Sequence, residues 1–246
     1  MAPKLWWSVR KRIARLGGRY RLARRDGATF LLDTADWLDL QILIGRPYET
    51  EQFALFSRLA RERGATRFLD CGANFGLYAA RLPAVVPSVA RIDAFEPLAS
   101  VRWRLSANLG LNGLAAIAHV HAVALGAADG EATLSVDPRS TGISALAPSE
   151  EERQRRDFRI AETVRVVRLD DHLPPTGERT AAIKLDVEGH EAEALAGMAE
   201  TLRRDAAVLQ VEARPRNREA VTRLAAAAGL APAGAVGDDL FFVGPR

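Results

Sequence analysis

Residues 67–82 read Arg67-Phe68-Leu69-Asp70-Cys71-Gly72-Ala73-Asn74-Phe75-Gly76-Leu77-Tyr78-Ala79-Ala80-Arg81-Leu82. A short apolar run, a turn with two glycines and a segment of helical composition make a strand–turn–helix unit, whose helix Pro83 stops or kinks. The unit repeats at once: Arg91–Phe95 is predicted as a strand leading through Glu96-Pro97 into a helix over Leu98–Leu109. Further strands are predicted at Ile117–Ala124, Ala132–Asp137, Val164–Leu169, Ala181–Asp186, Ala207–Glu212 and Leu240–Val243, and further helices at Tyr48–Arg63, Glu191–Met198 and Asn217–Ala228. Strands interleaved with helices imply an α/β, Rossmann-like, doubly wound and mostly parallel sheet with helices on both faces. Between Ser135 and Thr163 the pattern breaks, and Pro138, Gly142, Pro148 and the charged run 150–159 suit an exposed insertion.

Outward from that unit, 246 residues hold one such domain, expected over 48–246, behind a basic N-terminal helix and lead-in segment over 1–47. The balance of 48% hydrophobic to 26% charged residues is that of a soluble globular chain, which excludes disordered and membrane-spanning classes. A lone cysteine, Cys71, allows no intrachain disulfide and no cysteine zinc cluster; it reads as a core filler in a reducing, cytoplasmic compartment. No signal peptide is read at the start.

The net charge of +3 hides an asymmetry. Lys4, Arg10, Lys11, Arg12, Arg15, Arg19, Arg21, Arg24 and Arg25 precede the first acid, Asp26, and leave an acidic remainder. From Lys4 to Leu16 the spacing is helical, with Leu5, Val9, Ile13 and Leu16 on one stripe and Trp6 and Trp7 beside it. Two readings stand: the stripe packs on the domain, which is the commoner use of such a face, or residues 4–25 contact an anionic membrane at its inner surface.

Ligands on doubly wound sheets bind at the carboxyl ends of the strands, where strand order reverses. After the first strand come Asp70, Gly72, Asn74 and Gly76, whose glycines let the backbone turn sharply and approach a ligand, and whose helix start offers amides to a carboxylate. After the second comes Glu96, an acid suited to a ribose diol. A dinucleotide fingerprint needs a third glycine and no acid facing the pyrophosphate. Asp70 instead suits the ammonium of a methionine moiety, which points to S-adenosylmethionine. The alternative is a structural turn with Asp70 as a helix cap.

The segment Ile183-Lys184-Leu185-Asp186-Val187-Glu188-Gly189-His190-Glu191 ends a strand with clustered acids. Together with the upstream D-x-G-A-N-x-G and E-P it resembles the FkbM-type methyltransferases, whose signature is a strand ending in D-V-E-G-x-E. The likeness extends to Tyr48-Glu49, Ala124-Leu125-Gly126 with Gly130, Thr141–Ser144, Leu195, Gly197 and Val211-Glu212, covering about residues 40 to 230 in order. The resemblance implies a class I fold and O-methylation of a hydroxyl on a glycan or natural-product acceptor. It also implies a methionine-end loop from Asp70, Gly72, Asn74 and Gly76, a ribose contact at Glu96, and Asp186, Glu188 and Glu191 near the transferring methyl, Asp186 serving the cofactor as well.

In-line methyl transfer depends mainly on holding the acceptor oxygen in line with the methyl group, with a base to take its proton. Candidates for that base are His190, which has a suitable intrinsic pKa but occupies the variable signature position, and Asp186, Glu188 and Glu212. Clustered acids would also suit a divalent ion, but they cap helix amides as readily, and no metal site is assigned. His119 and His121 alternate on one strand and are expected buried and neutral, with a pocket role for His121 the lesser reading. Rival classes are a nucleotide-binding protein or NAD-linked oxidoreductase on the same fold, and a catalytically inactive S-adenosylmethionine-binding module. Nucleic acid is not an expected partner, since no N-P-P-Y-like segment follows Asp186 and the head lacks aromatics spaced for stacking on bases.

Overall fold

The computed structural model describes residues 2–16, 18–136, 144–145 and 160–245. The chain runs through α1 (Ala2–Arg15), β1 (Tyr20–Arg25), β2 (Ala28–Asp33), α2 (Trp37–Leu43), α3 (Thr50–Glu62), β3 (Arg67–Cys71), α4 (Leu77–Val85), β4 (Arg91–Phe95) and α5 (Ala99–Leu111). It continues through β5 (Ala118–His121), β6 (Ala124–Leu125), β7 (Gly130–Val136), β8 (Ser144–Ala145), β9 (Ile160–Val167), α6 (Leu169–His172), β10 (Ala181–Leu185), α7 (Glu191–Gly197), α8 (Ala199–Arg204), β11 (Ala206–Glu212), α9 (Arg218–Ala227), β12 (Ala231–Val236) and β13 (Asp239–Val243).

The main sheet has the order β12-β13-β11-β10-β3-β4-β5. From β11 to β5 neighbouring strands are parallel, and β13 and β12 add an antiparallel edge. All five residues of β3 and of β10 are buried, as expected of apolar runs covered on both faces. Alternation divides them. Leu69, Ile183 and Leu209 join one core with Leu195 of α7, Leu202 of α8 and Val221 of α9. Phe68, Ile92, Ala182 and Val208 join the other with Phe53 and Phe56 of α3, Leu82 of α4 and Leu105 of α5. Fully burying a side chain such as Phe56 stabilises the fold by about 1.5–3 kcal/mol. Strand order reverses between β3 and β10, so a crevice is expected at their carboxyl ends.

Several sequence expectations need correction. Pro83 does not stop α4, which runs one short turn further to Val85; the helix forgoes the bond that residue 83 would donate, and the amide of Val86 closes on the Leu82 carbonyl at 2.8 Å. The single strand expected over 117–124 is two: β5 ends at His121 as an edge of the main sheet, and β6 pairs with β9 in a second sheet of order β6-β9-β7-β8. The break expected between Ser135 and Thr163 is narrower, because β7 reaches Val136 and β9 begins at Ile160. Residues 137–143 and 146–159, where the insertion and most of the 141–144 loop were expected, lie outside the described residues.

The lead-in after α1 contains an antiparallel hairpin, β1–β2, turning at Asp26-Gly27, where both residues have positive φ (47° and 86°). That is the geometry an Asp-Gly turn supplies between twisted strands. Phe30 of β2 packs edge-on to Phe75 at 5.9 Å, and α2 is capped by Asp36, whose Oδ1 accepts from the Leu38 and Asp39 amides. Buried Arg104 of α5 donates to Asp39.

α1 lies where expected but faces the other way. Val9, Ile13 and Leu16 of the stripe are exposed together with Trp6, Leu16 at 85%, while Trp7, Arg10, Lys11 and Ala14 are half-buried. The reading that packs this stripe on the domain is overturned. No described helix is long and apolar enough to cross a membrane.

Candidate active site

A cavity of about 300 Å³ opens at the carboxyl ends of the parallel strands. Asp70, Gly72 and Asn74 line it from the β3 end, Glu96 from β4, Asp186 and Glu188 from β10, and Glu212 and Arg214 from β11, with Tyr48 and Glu49 before α3. Of the residues expected at the site, Gly76, His190 and Glu191 are not among those lining it.

The turn after β3 is shaped by its neighbours. Gly72 has φ of +84°, and a Cβ there would stand 1.8 Å from the Asp186 carbonyl oxygen. Its bare Cα therefore admits the β10 loop rather than a ligand, and the Asp186 amide donates to the Cys71 carbonyl at 3.0 Å across the same junction. Gly76, at φ of +90°, is the residue preceding α4 and packs toward Leu105. Asn74 also has positive φ, and its side-chain oxygen accepts from the Phe75 amide at 2.8 Å.

Glu96 is bound into this turn. Its carboxylate accepts from the Asn74 amide at 3.0 Å and from the Leu98 amide at 2.9 Å, while the Glu96 amide bonds the His121 carbonyl. Burial pushes the carboxyl up to about 7, with the two amides pulling the other way. Asp70 is raised to about 6 by burial, opposed by Lys184 and by the Ala79 amide in the first turn of α4. The capping alternative is therefore half right, because Asp70 does meet that helix start. Its other oxygen, Oδ2, is buried with no hydrogen-bond partner among the described residues.

Lys184 is the central residue that sequence reasoning missed. It sits in register between Asp70 on β3 and Gln210 on β11, so the three share one row across the sheet. Its Nζ donates to Asp186 Oδ2 at 2.9 Å and lies 4.9 Å from the Tyr78 ring centre. Burial opposes its charge, but Asp186, Glu49 and Asp70 hold the ammonium's pKa well above the ordinary lysine range. The signal was available: a lone lysine inside an otherwise apolar buried strand needs buried acids. Beside it, the Asp186 charge and then burial push Glu212 up to about 10. Burial also opposes ionisation of Asp186, yet Lys184 and the hydrogen bond from Glu212 hold it below the usual carboxylate range. Of the two, Asp186 is thus the more acidic and Glu212 the more readily protonated.

At the rim, Arg214 donates to Glu188 at 2.6 Å, and Glu188 occupies a positive-φ position at 53°. Glu191 does not reach the cavity. It is buried and staples the loop, accepting from the Gly189 amide at 2.7 Å and the Asn217 side chain at 2.9 Å. His190 is half-buried beside it, with Nδ1 lacking a hydrogen-bond partner among the described residues. His119 is exposed, contrary to expectation, because β5 is an edge strand. His121 is half-buried, stacked at 4.5 Å on Phe95 and bonded to Asp93 and His172 at 3.1 Å each, behind the cavity wall. Cys71 is a buried core residue as expected.

The site as a whole presents six carboxyl groups, Glu49, Asp70, Glu96, Asp186, Glu188 and Glu212, against the cations Lys184 and Arg214. It favours a ligand with positive charge and hydroxyl donors, and disfavours a diphosphate.

A family model described as the methyltransferase FkbM domain matches residues 70–228. Methyltransferase sdnD of Sordaria araneosa is 35% identical over 158 residues, which are 54% of this chain and 60% of that protein. AMB antimetabolite synthetase AmbE of Pseudomonas aeruginosa is 33% identical over 161 residues, which are 53% of this chain and 7% of that protein. The chain therefore spans less than two thirds of either relative's length. Among solved structures, methyltransferase FkbM from Methylobacillus flagellatus KT is similar in fold, with a TM-score of 0.52 at 18% identity over 73% of this chain and 44% of that one.

Proposed function

The chain belongs to the FkbM methyltransferase family and has the Rossmann-like class I methyltransferase fold, and from that premise we propose that it transfers a methyl group from S-adenosylmethionine to a hydroxyl oxygen of a glycan or natural-product acceptor. The observation that carries this reading is the acid-lined cavity at the strand switch point, with a buried Asp70 oxygen, unpartnered among the described residues, at its methionine end. Asp70 Oδ2 fits an ammonium, the amides at the start of α4 fit a carboxylate, and Glu96, fixed by two backbone amides, fits the ribose hydroxyls.

When bound, S-adenosylmethionine supplies a methyl group on a positively charged sulfur. The chain's own part is to hold the acceptor oxygen in line and to receive its proton. A hydroxyl held there would grow strongly acidic on accepting a methyl group, so even a weak base beside it would suffice. Asp186 is that base in our reading, because Lys184 favours its ionised form, whereas Glu212 is the more readily protonated of the two. His190, which does not line the cavity, is the weaker candidate.

Two measurements test the reading. Calorimetry should detect S-adenosylmethionine and not NAD; the reverse result would move the chain to the oxidoreductase class. Labelled-methyl transfer to a panel of hydroxyl acceptors, read by mass spectrometry, should then give a product whose rate falls about 10²–10⁴-fold in Asp186→Asn, with cofactor affinity changed far less. Binding without turnover on any acceptor would leave a binding module.

A further inference from the structure

The helix α1 is amphipathic in an inverted sense. Among its described side chains, Trp7, Arg10, Lys11 and Ala14 face the body, and Trp6, Ser8, Val9, Arg12, Ile13 and Arg15 face solvent, with Leu16 just beyond its end. Contacts outside the helix fix this orientation: the Arg10 guanidinium lies near Gly45, and Arg21 of β1 donates to the Ala14 carbonyl at 3.4 Å. An apolar ridge about 15 Å long is thus held outward by the chain's own packing. Arg12 and Arg15 flank it, also exposed, and no acid occurs before Asp26.

A ridge of Trp, Val, Ile and Leu in water forgoes the free energy of burial, and its cationic flanks state what would cover it. We infer that α1 docks on the surface of a bilayer containing anionic lipid, with Trp6, Val9, Ile13 and Leu16 entering the headgroup–acyl boundary and Arg12 and Arg15 meeting lipid phosphates. A second copy of the chain is a poor occupant, because it would bring the same exposed Arg12 and Arg15 to the contact. A nucleic acid would satisfy the arginines but give the ridge nothing to enter. A bilayer satisfies both. The inference does not depend on methyl transfer. It would, however, set the cavity beside a membrane and favour acceptors carried there.

The test is sedimentation of the full chain with vesicles of phosphatidylcholine alone or mixed with phosphatidylglycerol, at low and at high ionic strength, alongside Ile13→Glu/Leu16→Glu and Arg12→Glu/Arg15→Glu. The native chain should sediment with the anionic vesicles and be partly released by salt, and each double variant should lower the bound fraction about tenfold or more. All of these positions are exposed, so unfolding is not expected; near-native thermal midpoints and S-adenosylmethionine affinity check that. Failure to sediment with anionic vesicles at low salt overturns the inference. So does binding that the Ile13/Leu16 change leaves intact, which would mark a purely ionic surface. Tighter capture of a single-stranded oligonucleotide than of vesicles, or a dimer in solution that the same change dissociates, would assign the ridge to another occupant.

Discussion

The cavity and the N-terminal head use charge in opposite ways. Around Lys184, charges are buried, close and mutually dependent: Asp186, Glu212, Asp70 and Glu49 each take their ionisation from the others. On α1, Arg12 and Arg15 stand in water beside an exposed ridge, with no ion pair among the described residues. Burial makes electrostatics cooperative, and exposure makes it additive and weak. Substitutions at the cavity should therefore have large, pH-dependent effects, and substitutions on the head small ones.

The largest effect is expected at Gly72. A methyl group there would overlap the Asp186 carbonyl, and alanine disfavours φ of +84°. Gly72→Ala should cost about 4 kcal/mol or more in urea unfolding, because backbone rather than a flexible side chain must move. A loss under about 1 kcal/mol would mean that the β3 and β10 loops are not locked together.

Next is Lys184→Met, which leaves buried carboxylates without their cation and should cost about 3–5 kcal/mol near pH 8. The cost should shrink toward acid pH, where those carboxyls take up protons and no longer need a partner. A pH-independent loss would reduce Lys184 to a packing residue.

The third effect is on binding. Glu96→Ala should weaken S-adenosylmethionine by about 1.5–3 kcal/mol. The native affinity should itself vary with pH. Because the folded carboxyl titrates near 7, above its ordinary 4.5, it is increasingly neutral below that point, and affinity at pH 6 should be about tenfold weaker than at pH 8. For apo stability the sign is opposite. Raised folded values at Asp70 and Glu96 mean the folded chain holds protons that the unfolded chain has lost, so their contribution falls as pH rises from about 4 to about 7. A flat binding profile in calorimetry would show that the neutral carboxyl serves equally well.

The same contrast explains what the sequence disclosed. Strands β3, β4, β10 and β11 were legible almost to the residue, because apolar runs buried on both faces leave little else for such segments to be. The convergence of Asp70 and Glu96 followed from strand ends, since topology brings those ends together, and that of Asp186, Glu188 and Glu212 from their clustering at later strand ends together with the family resemblance. Lys184 was passed over because burial of a charge is a tertiary fact, although one lysine in Ile183-Lys184-Leu185 hinted at it. The reason for Gly72 was misread in the same way: chain geometry asks for a glycine, but only the fold shows that a second loop occupies the space. The β1–β2 hairpin was missed although Asp26-Gly27 announced its turn, because the arginines of β1 drew the segment into a reading of charge. In α1 the periodicity gave the helix and its stripe but not the stripe's direction; an amphipathic pattern states that two media exist, not which of them is protein.

The smallest effect should fall on that stripe. Ile13 is 61% exposed, so Ile13→Glu breaks few contacts within the chain and adds a carboxylate one helical turn from Arg10 that finds partial compensation. Unfolding free energy should change by no more than about 0.5 kcal/mol, in contrast to the several expected at Gly72 and Lys184. S-adenosylmethionine affinity should not change at all. If the substitution instead costs as much as a core change, α1 is packed on its apolar side in solution, and the difference between a cooperative cavity and an independent head disappears. Measuring it in the same urea series as Gly72→Ala places both ends of the comparison on one scale.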